Sequence, residues 1–227
     1  MSWLAKTFTT HSGRKALAAL TGLGMVLFLI MHLLGNLQIY STSSAFNDYA
    51  TSLHSGPLIV FADIGLLIAF PLHVFMVIWL AKDNAKARGD QAYKVSGTKQ
   101  KRGFASVLAS KTTLYGGLLL LFFVVVHIWH FRLQHDAIAH GTFAQGIAAG
   151  DLKAAVIDTL SKPHWGILYA VGSLVTGWHL FHGIQAGFRS IGAWHPRYTP
   201  IIIKAGAGLS AIIGLGFAAI PVWILVA

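Results

Sequence analysis

Five long apolar runs divide this chain and constrain its fold more than any other feature: Ala16–Leu34, Leu58–Leu80, Leu114–Trp129, Ile167–Phe181 and Ala205–Ala227. A helix that crosses a bilayer needs about 20 mostly apolar residues. Only 11% of the 227 residues are charged, against about 25% in a soluble domain. The reading is all-α: one integral membrane bundle of five transmembrane helices over residues 1–227. The helices are expected near residues 14–38, 57–82, 111–133, 164–189 and 200–226. The opening segment, Met1–Lys15, is too polar for a secretory signal, so the first run is read as the first membrane helix.

Charge placement predicts the topology. Lys6, Arg14 and Lys15 precede the first run, and the next connection has no Lys or Arg. The following loop carries Lys82, Lys86, Arg88, Lys94, Lys99, Lys101, Arg102 and Lys111. Beyond the third run only Arg132, Lys153 and Lys162 appear, offset by Asp136, Asp151 and Asp158. Arg189, Arg197 and Lys204 return on the original side, which makes fourteen of the seventeen cations one-sided. By the positive-inside rule the N-terminus is expected in the cytoplasm of a multi-pass cell (inner) membrane protein, with the C-terminus outside. The net charge of +10 therefore sets orientation in lipid and is not a nucleic-acid footprint.

Local signals suggest boundaries. Ser12 is a candidate cap for the first helix, Pro57 suits the first turn of the second, Pro163 opens the fourth, and Pro200 precedes the fifth. Pro71 and Pro221 fall inside helices, where a kink is expected. Lys94–Ser110 reads as a polar cytoplasmic loop. His135–Ser161 reads as a long outer loop, with an amphipathic piece near Asp151–Leu160 lying on the surface.

The chain has no cysteine. That excludes disulfides, thiolate-bound iron–sulfur clusters and covalent c-type haem. Glutamate is also absent. What the apolar runs do contain is histidine: His32, His73, His127 and His179, one in each of four runs. An ionisable residue inside a membrane helix is costly and signals function. The depths fall into two layers at 1.5 Å rise per residue. His32 lies roughly 25 Å past Lys15, and His127 roughly 24 Å past Lys111. His73 lies roughly 14 Å before Lys82, and His179 roughly 15 Å before Arg189. Two imidazole pairs about 11 Å apart along the normal match two haems, each held between two histidines.

Second histidines leave the ligand choice open, because His130 and His182 lie three residues beyond His127 and His179 on the same helix face. Depth favours His179 over His182. His130, beside Trp129 and Arg132, reads as a rim residue near a quinone or a haem propionate. Gly22, Gly24, Gly116, Gly117, Gly172, Gly177 and Gly183 thin the helices. They serve either close helix packing or room for a flat macrocycle. Arg14 and Lys15, with Arg88, Lys101 and Arg102, are candidates for inner-haem propionates or for docking a partner, and each also serves as a topology determinant.

Several segments together resemble a known family. These are the run Ser12–Asn36, with Arg14-Lys15, Thr21-Gly22 and His32-Leu33-Leu34-Gly35-Asn36; FPLHVFMVIWLAKDNAKAR around His73; VVVHIWHFR around His127; and GWHLFHGIQAGFRSIG around His179. The chain resembles the five-helix, dihaem cytochrome b membrane anchor of succinate dehydrogenase and fumarate reductase. The resemblance implies that His73 and His179 ligate a proximal haem b and that His32 and His127 ligate a distal one. It implies as partners a flavoprotein subunit, an iron–sulfur subunit, membrane lipid and a quinone, menaquinone in most dihaem members. It implies an electron-transfer, quinone-reactive subunit of the enzyme, with succinate and fumarate handled on a partner. Some relatives carry membrane glutamates; here the residue two before His179 is Gly177. Asp63 is the one acid inside the apolar runs. It offers either a proton acceptor at a distal quinone site or a polar partner for a neighbouring helix.

Two rivals differ in partner or class. A haem b subunit of a hydrogenase or formate dehydrogenase would also carry intramembrane histidines. A transporter with a histidine proton relay would show inverted repeats and broken helices, and neither is evident.

Overall fold

The computed structural model describes residues 7–88, 104–133 and 150–227. These residues are helical apart from short turns. Helix α1 is His11–Asn36, continued by a 3-10 turn at Leu37–Tyr40. Helix α2 is Ser43–Ser55 and α3 is Pro57–Arg88. Helix α4, Phe104–Ile128, runs into a π turn at Trp129–Leu133. Helix α5 is Leu152–Ser161, α6 is Pro163–Ser190 and α7 is Thr199–Val226. Five stretches are long and apolar enough to cross a bilayer: His11–Tyr40, Ile59–Ala87, Thr112–Leu133, Pro163–Ser190 and Thr199–Val226. The protein is a multi-pass, all-helical membrane protein, as the apolar runs predict. Large apolar side chains such as Phe61, Leu67 and Tyr115 are exposed, because here the solvent is lipid and exposure of apolar surface costs little.

Helices α6 and α7 form the tightest pair. Ser173 and Gly177 on α6 meet Ser210 and Gly214 on α7, two small residues four apart on each helix. A methyl placed on Gly177 would lie 2.9 Å from the Gly214 Cα and from the Ser210 carbonyl oxygen. With no hydrophobic drive between helices in lipid, such backbone approach supplies the association. Helix α1 packs across this pair through Leu33, Leu180, Ile184 and the fully buried Ile213. Helix α3 leans on α1, and α4 leans on α6. At the end opposite the basic residues, α2 and α5 close the bundle. They share a core with Ile39, Tyr169, Ile220 and Ile224.

Several boundaries differ from expectation. Thr10, not Ser12, caps α1, accepting the Gly13 N–H at 3.1 Å, so Ser12 is already helical. The third span starts at Thr112, as expected, but its helix begins earlier: Phe104–Ser110 belongs to α4 and buries Ala109. Its two serines, and the polar run KVSGTKQKRG before it, made that stretch read as loop. Of the expected Lys94–Ser110 loop, residues 94–103 lie outside the described residues, as do residues 135–149 of the outer loop. The amphipathic piece exists as α5, capped by Asp151, with Ala154 and Asp158 exposed on its outer face. It buries Ala155, Thr159 and Leu160 against the bundle. Helix α2 was not anticipated; its start is marked by Thr42, whose hydroxyl accepts the Ala45 N–H at 3.3 Å. Pro163 opens α6 as expected, and Pro200 sits in the first turn of α7, which begins at Thr199. Pro71 and Pro221 both lie within continuous helices.

Candidate functional site

The helices that carry the four histidines pack in a row: α3 on α1, α1 on α6, α6 on α4. Neither α1 with α4 nor α3 with α6 makes a substantial backbone contact. Those are the two combinations that the depth layers pair. Of the two pairs, the His32 and His127 rings meet in the space between their helices.

In the layer far from the basic end, His32 of α1 and His127 of α4 have ring centroids 5.8 Å apart, with planes at 84°. Two imidazoles bound to one metal through bonds of about 2 Å have centroids roughly 6 Å apart. Aromatic rings fix both side chains. Phe28 stacks on His32 at 5.2 Å and Phe217 lies at 5.5 Å. Phe123, Phe131 and Tyr169 surround His127 at 6.1, 5.5 and 6.0 Å. Asn36 donates to the His32 carbonyl at 2.8 Å and reaches its Nδ1 only at 3.4 Å.

In the layer nearer the basic end, His73 of α3 lies against α1. Its Nδ1 is 2.9 Å from the Ala18 carbonyl oxygen and 3.3 Å from the Thr21 hydroxyl. A carbonyl can only accept, so Nδ1 carries the proton and Nε2 keeps its lone pair. This is the tautomer that a metal-binding histidine adopts when its second nitrogen is anchored on backbone. The approach depends on Gly22, where an added Cβ would stand 2.9 Å from His73 Cε1. His179 of α6 rests on α4 at Gly117, with 3.5 Å between its Cε1 and a built Cβ. His179 Nδ1 is buried, with the Thr113 backbone of α4 as its neighbouring hydrogen-bonding group. His73 and His179 lie within electrostatic range of one another.

The glycines divide between both expected roles. Gly172 and Gly177 serve packing: Gly172 forms a notch for the Phe123 ring, and Gly177 meets α7. Gly22 and Gly117 make room for histidine rings. At Gly24, Gly116 and Gly183 a Cβ would meet none of the described residues within 4 Å.

Other predicted residues are placed differently from expectation. His130 is not a rim residue: it is 5% exposed. The π turn rotates it inward, between Trp129 at 5.2 Å and Trp165 at 4.2 Å, with Nδ1 3.1 Å from the Tyr169 hydroxyl. His182 is half-buried on α6, and it is His179 whose ring meets α4. Asp63 pairs with Arg132 at 3.0 Å, joining α3 to the end of α4. Arg14 is committed to Asp83, to the Phe8 and Thr9 carbonyls, and to the Trp79 ring 4.1 Å beneath it. Lys15 is exposed. Tyr169 escaped the sequence reading. It lies ten residues before His179, roughly 15 Å along the helix, which puts a hydroxyl at the depth of His127.

Among the described residues no three or more His, Cys, Asp or Glu side chains converge as a metal site. The anchored Nδ1 of His73, which leaves its Nε2 free, the His32–His127 spacing and the Gly22 cradle are compatible with residues that would hold a haem. No family model, curated protein or solved structure matches the chain.

Proposed function

We propose that this protein is the dihaem cytochrome b membrane anchor of a succinate:quinone oxidoreductase, the class its helices resemble. One observation carries the reading: His32 of α1 and His127 of α4, paired by depth, bring their ring centroids to 5.8 Å across helices that share little other contact among the described residues. His73 and His179 hold one haem b, and His32 and His127 hold the other. Bound there, haem would supply one-electron transfer, with these four histidines as the residues that would hold it.

The chain's own residues position and insulate the site. Ala18 and Thr21 orient His73. Phe28, Phe217, Phe123, Phe131 and Tyr169 fix the rings of the second pair. Helices α2 and α5 cover the far end with apolar side chains and keep water from that pair. The basic end faces the cytoplasm by the positive-inside rule. It meets an iron–sulfur subunit, with a flavoprotein beyond that acts on succinate or fumarate. The exchangeable electron carrier in the membrane is a quinone, menaquinone by resemblance. Arg14 bonds Asp83 and the Phe8 and Thr9 carbonyls, so its first role is to clamp α1 to α3.

The test is purification of the native complex from membranes. The expected result is two haem b per chain in a reduced-minus-oxidised spectrum, with flavin and iron–sulfur subunits present. A colourless protein refutes the proposal. A nickel or molybdenum partner transfers it to a hydrogenase or formate dehydrogenase.

A further inference from the structure

The buried pair His130–Tyr169 lies beside the proposed ligands without being one of them. Tyr169 is 7% exposed, and its ring packs on Phe123 at 5.3 Å, Phe131 at 5.4 Å and His127 at 6.0 Å. Tyr169 thus touches both of the other rings around His127. Phe123 is seated in the notch at Gly172, one turn along α6 from Tyr169. Phe131 follows the π turn. Tyr169 is the ring in this box with a polar anchor, the 3.1 Å hydrogen bond to His130 Nδ1. His130 is itself gripped between Trp129 and Trp165. A polar bond inside an apolar, low-dielectric site resists rotation more strongly than the same bond in water, and an aromatic wall fixed in this way limits the ring it touches.

We infer that Tyr169 and His130 are positioning residues that set the ring orientation of His127, and through it the electronic character of one of the two haems. The inference rests on the proposed haem ligation. The hydrogen bond crosses from the π turn of α4 to α6, so it also fixes the helix that carries His127 against the helix that carries His179. Imidazole orientation is among the protein's controls over a bound haem, through the ligand and the groups that orient it.

The test uses the purified complex with Tyr169→Phe, His130→Leu and His130→Asn. Phenylalanine keeps the Tyr169 ring and removes only the hydroxyl. Asparagine can still offer the hydroxyl a donor or an acceptor, and leucine cannot. The readouts are the low-spin haem signals in electron paramagnetic resonance and a redox titration resolving both haems. The expected result is a shifted signal and midpoint for one haem in Tyr169→Phe and His130→Leu, with the other haem unchanged and both haems retained. His130→Asn is expected to restore the wild-type signal. Unchanged spectra in both Tyr169→Phe and His130→Leu overturn the inference while leaving the proposed function intact. Equal shifts of both haems also overturn it, since they mark a general loosening. A wild-type complex without haem overturns the proposed function itself, and this inference with it.

Discussion

Gly22→Ala is a small change that separates the proposed site from ordinary helix packing. The added methyl would lie 2.9 Å from His73 Cε1, whereas ordinary contact begins at 3.4 Å. The obstructing atom is the far end of a side chain, so the ring gives way and the helices stay together. Giving way means moving by about half an ångström, which is the tolerance within which a functional constellation must be held. The 2.9 Å bond from His73 to Ala18 stretches with it, forfeiting about 0.5–1.5 kcal/mol. The helix itself gains about 0.5–1 kcal/mol on replacing glycine, so the fold should not suffer. Losing the bond and the ring position together should weaken one ligand pair by about 1–2 kcal/mol, roughly a five- to thirty-fold loss in affinity. Two other glycines serve as controls. Gly24→Ala, two residues on and facing open space, should change nothing. Gly177→Ala meets α7 backbone and should destabilise the whole bundle. The assay is haem per protein with a resolved redox titration, alongside helicity by circular dichroism. Gly22→Ala that keeps both haems at full occupancy, or Gly24→Ala that loses one equally, refutes the reasoning.

Replacing His73 with Ala should remove one haem and spare the other, and His127→Ala should do the reverse; haem content and the surviving midpoint distinguish the two. Arg14→Gln breaks contacts to Asp83, two carbonyls and Trp79 at a largely buried site. It should cost about 1.5–3 kcal/mol, read as a lower melting temperature in detergent. Arg132→Gln breaks an ion pair whose side chains are 48% and 40% exposed, and should cost less than about 1 kcal/mol in the same assay. Asp151 accepts the Ala154 N–H and the Asn47 amide, and these bonds, with Lys153 nearby, hold its carboxyl below the ordinary value of 3.8. A carboxyl lowered in the folded state stabilises fully above its unfolded pKa, and the gain is lost as pH falls through the lower folded value. Amide exchange at Ala154 and Ala155 should therefore rise below about pH 4, and Asp151→Ala should show that faster exchange already at neutral pH.

Much of this was legible in order along the chain. The five spans follow from apolar length, because lipid requires every backbone group to be satisfied within a helix. The grouping of His32 with His127 and of His73 with His179 follows from a fixed rise per residue. Depth is a one-dimensional property, and the chain carries it directly. Helix ends were harder to read: Phe104–Ser110 follows a polar, basic run directly yet is helical, and α2 and α5 draw their stability from the core they share with Tyr169 and Ile220.

What the amino-acid sequence determined by itself is the bundle of five spans, the two depths and the residue types at each depth. The three-dimensional arrangement decided which side chains do which work. His130, three residues from His127 and at the expected rim, is turned inward by the π turn and engaged by Tyr169 from another helix. Arg14, a candidate for a propionate, is taken up by Asp83 from α3. Gly22 and Gly177 look alike in sequence, yet one accommodates an imidazole and the other a helix backbone. Rotation about a helix axis and the choice of neighbour depend on contacts between residues distant in the chain, and no local periodicity encodes them.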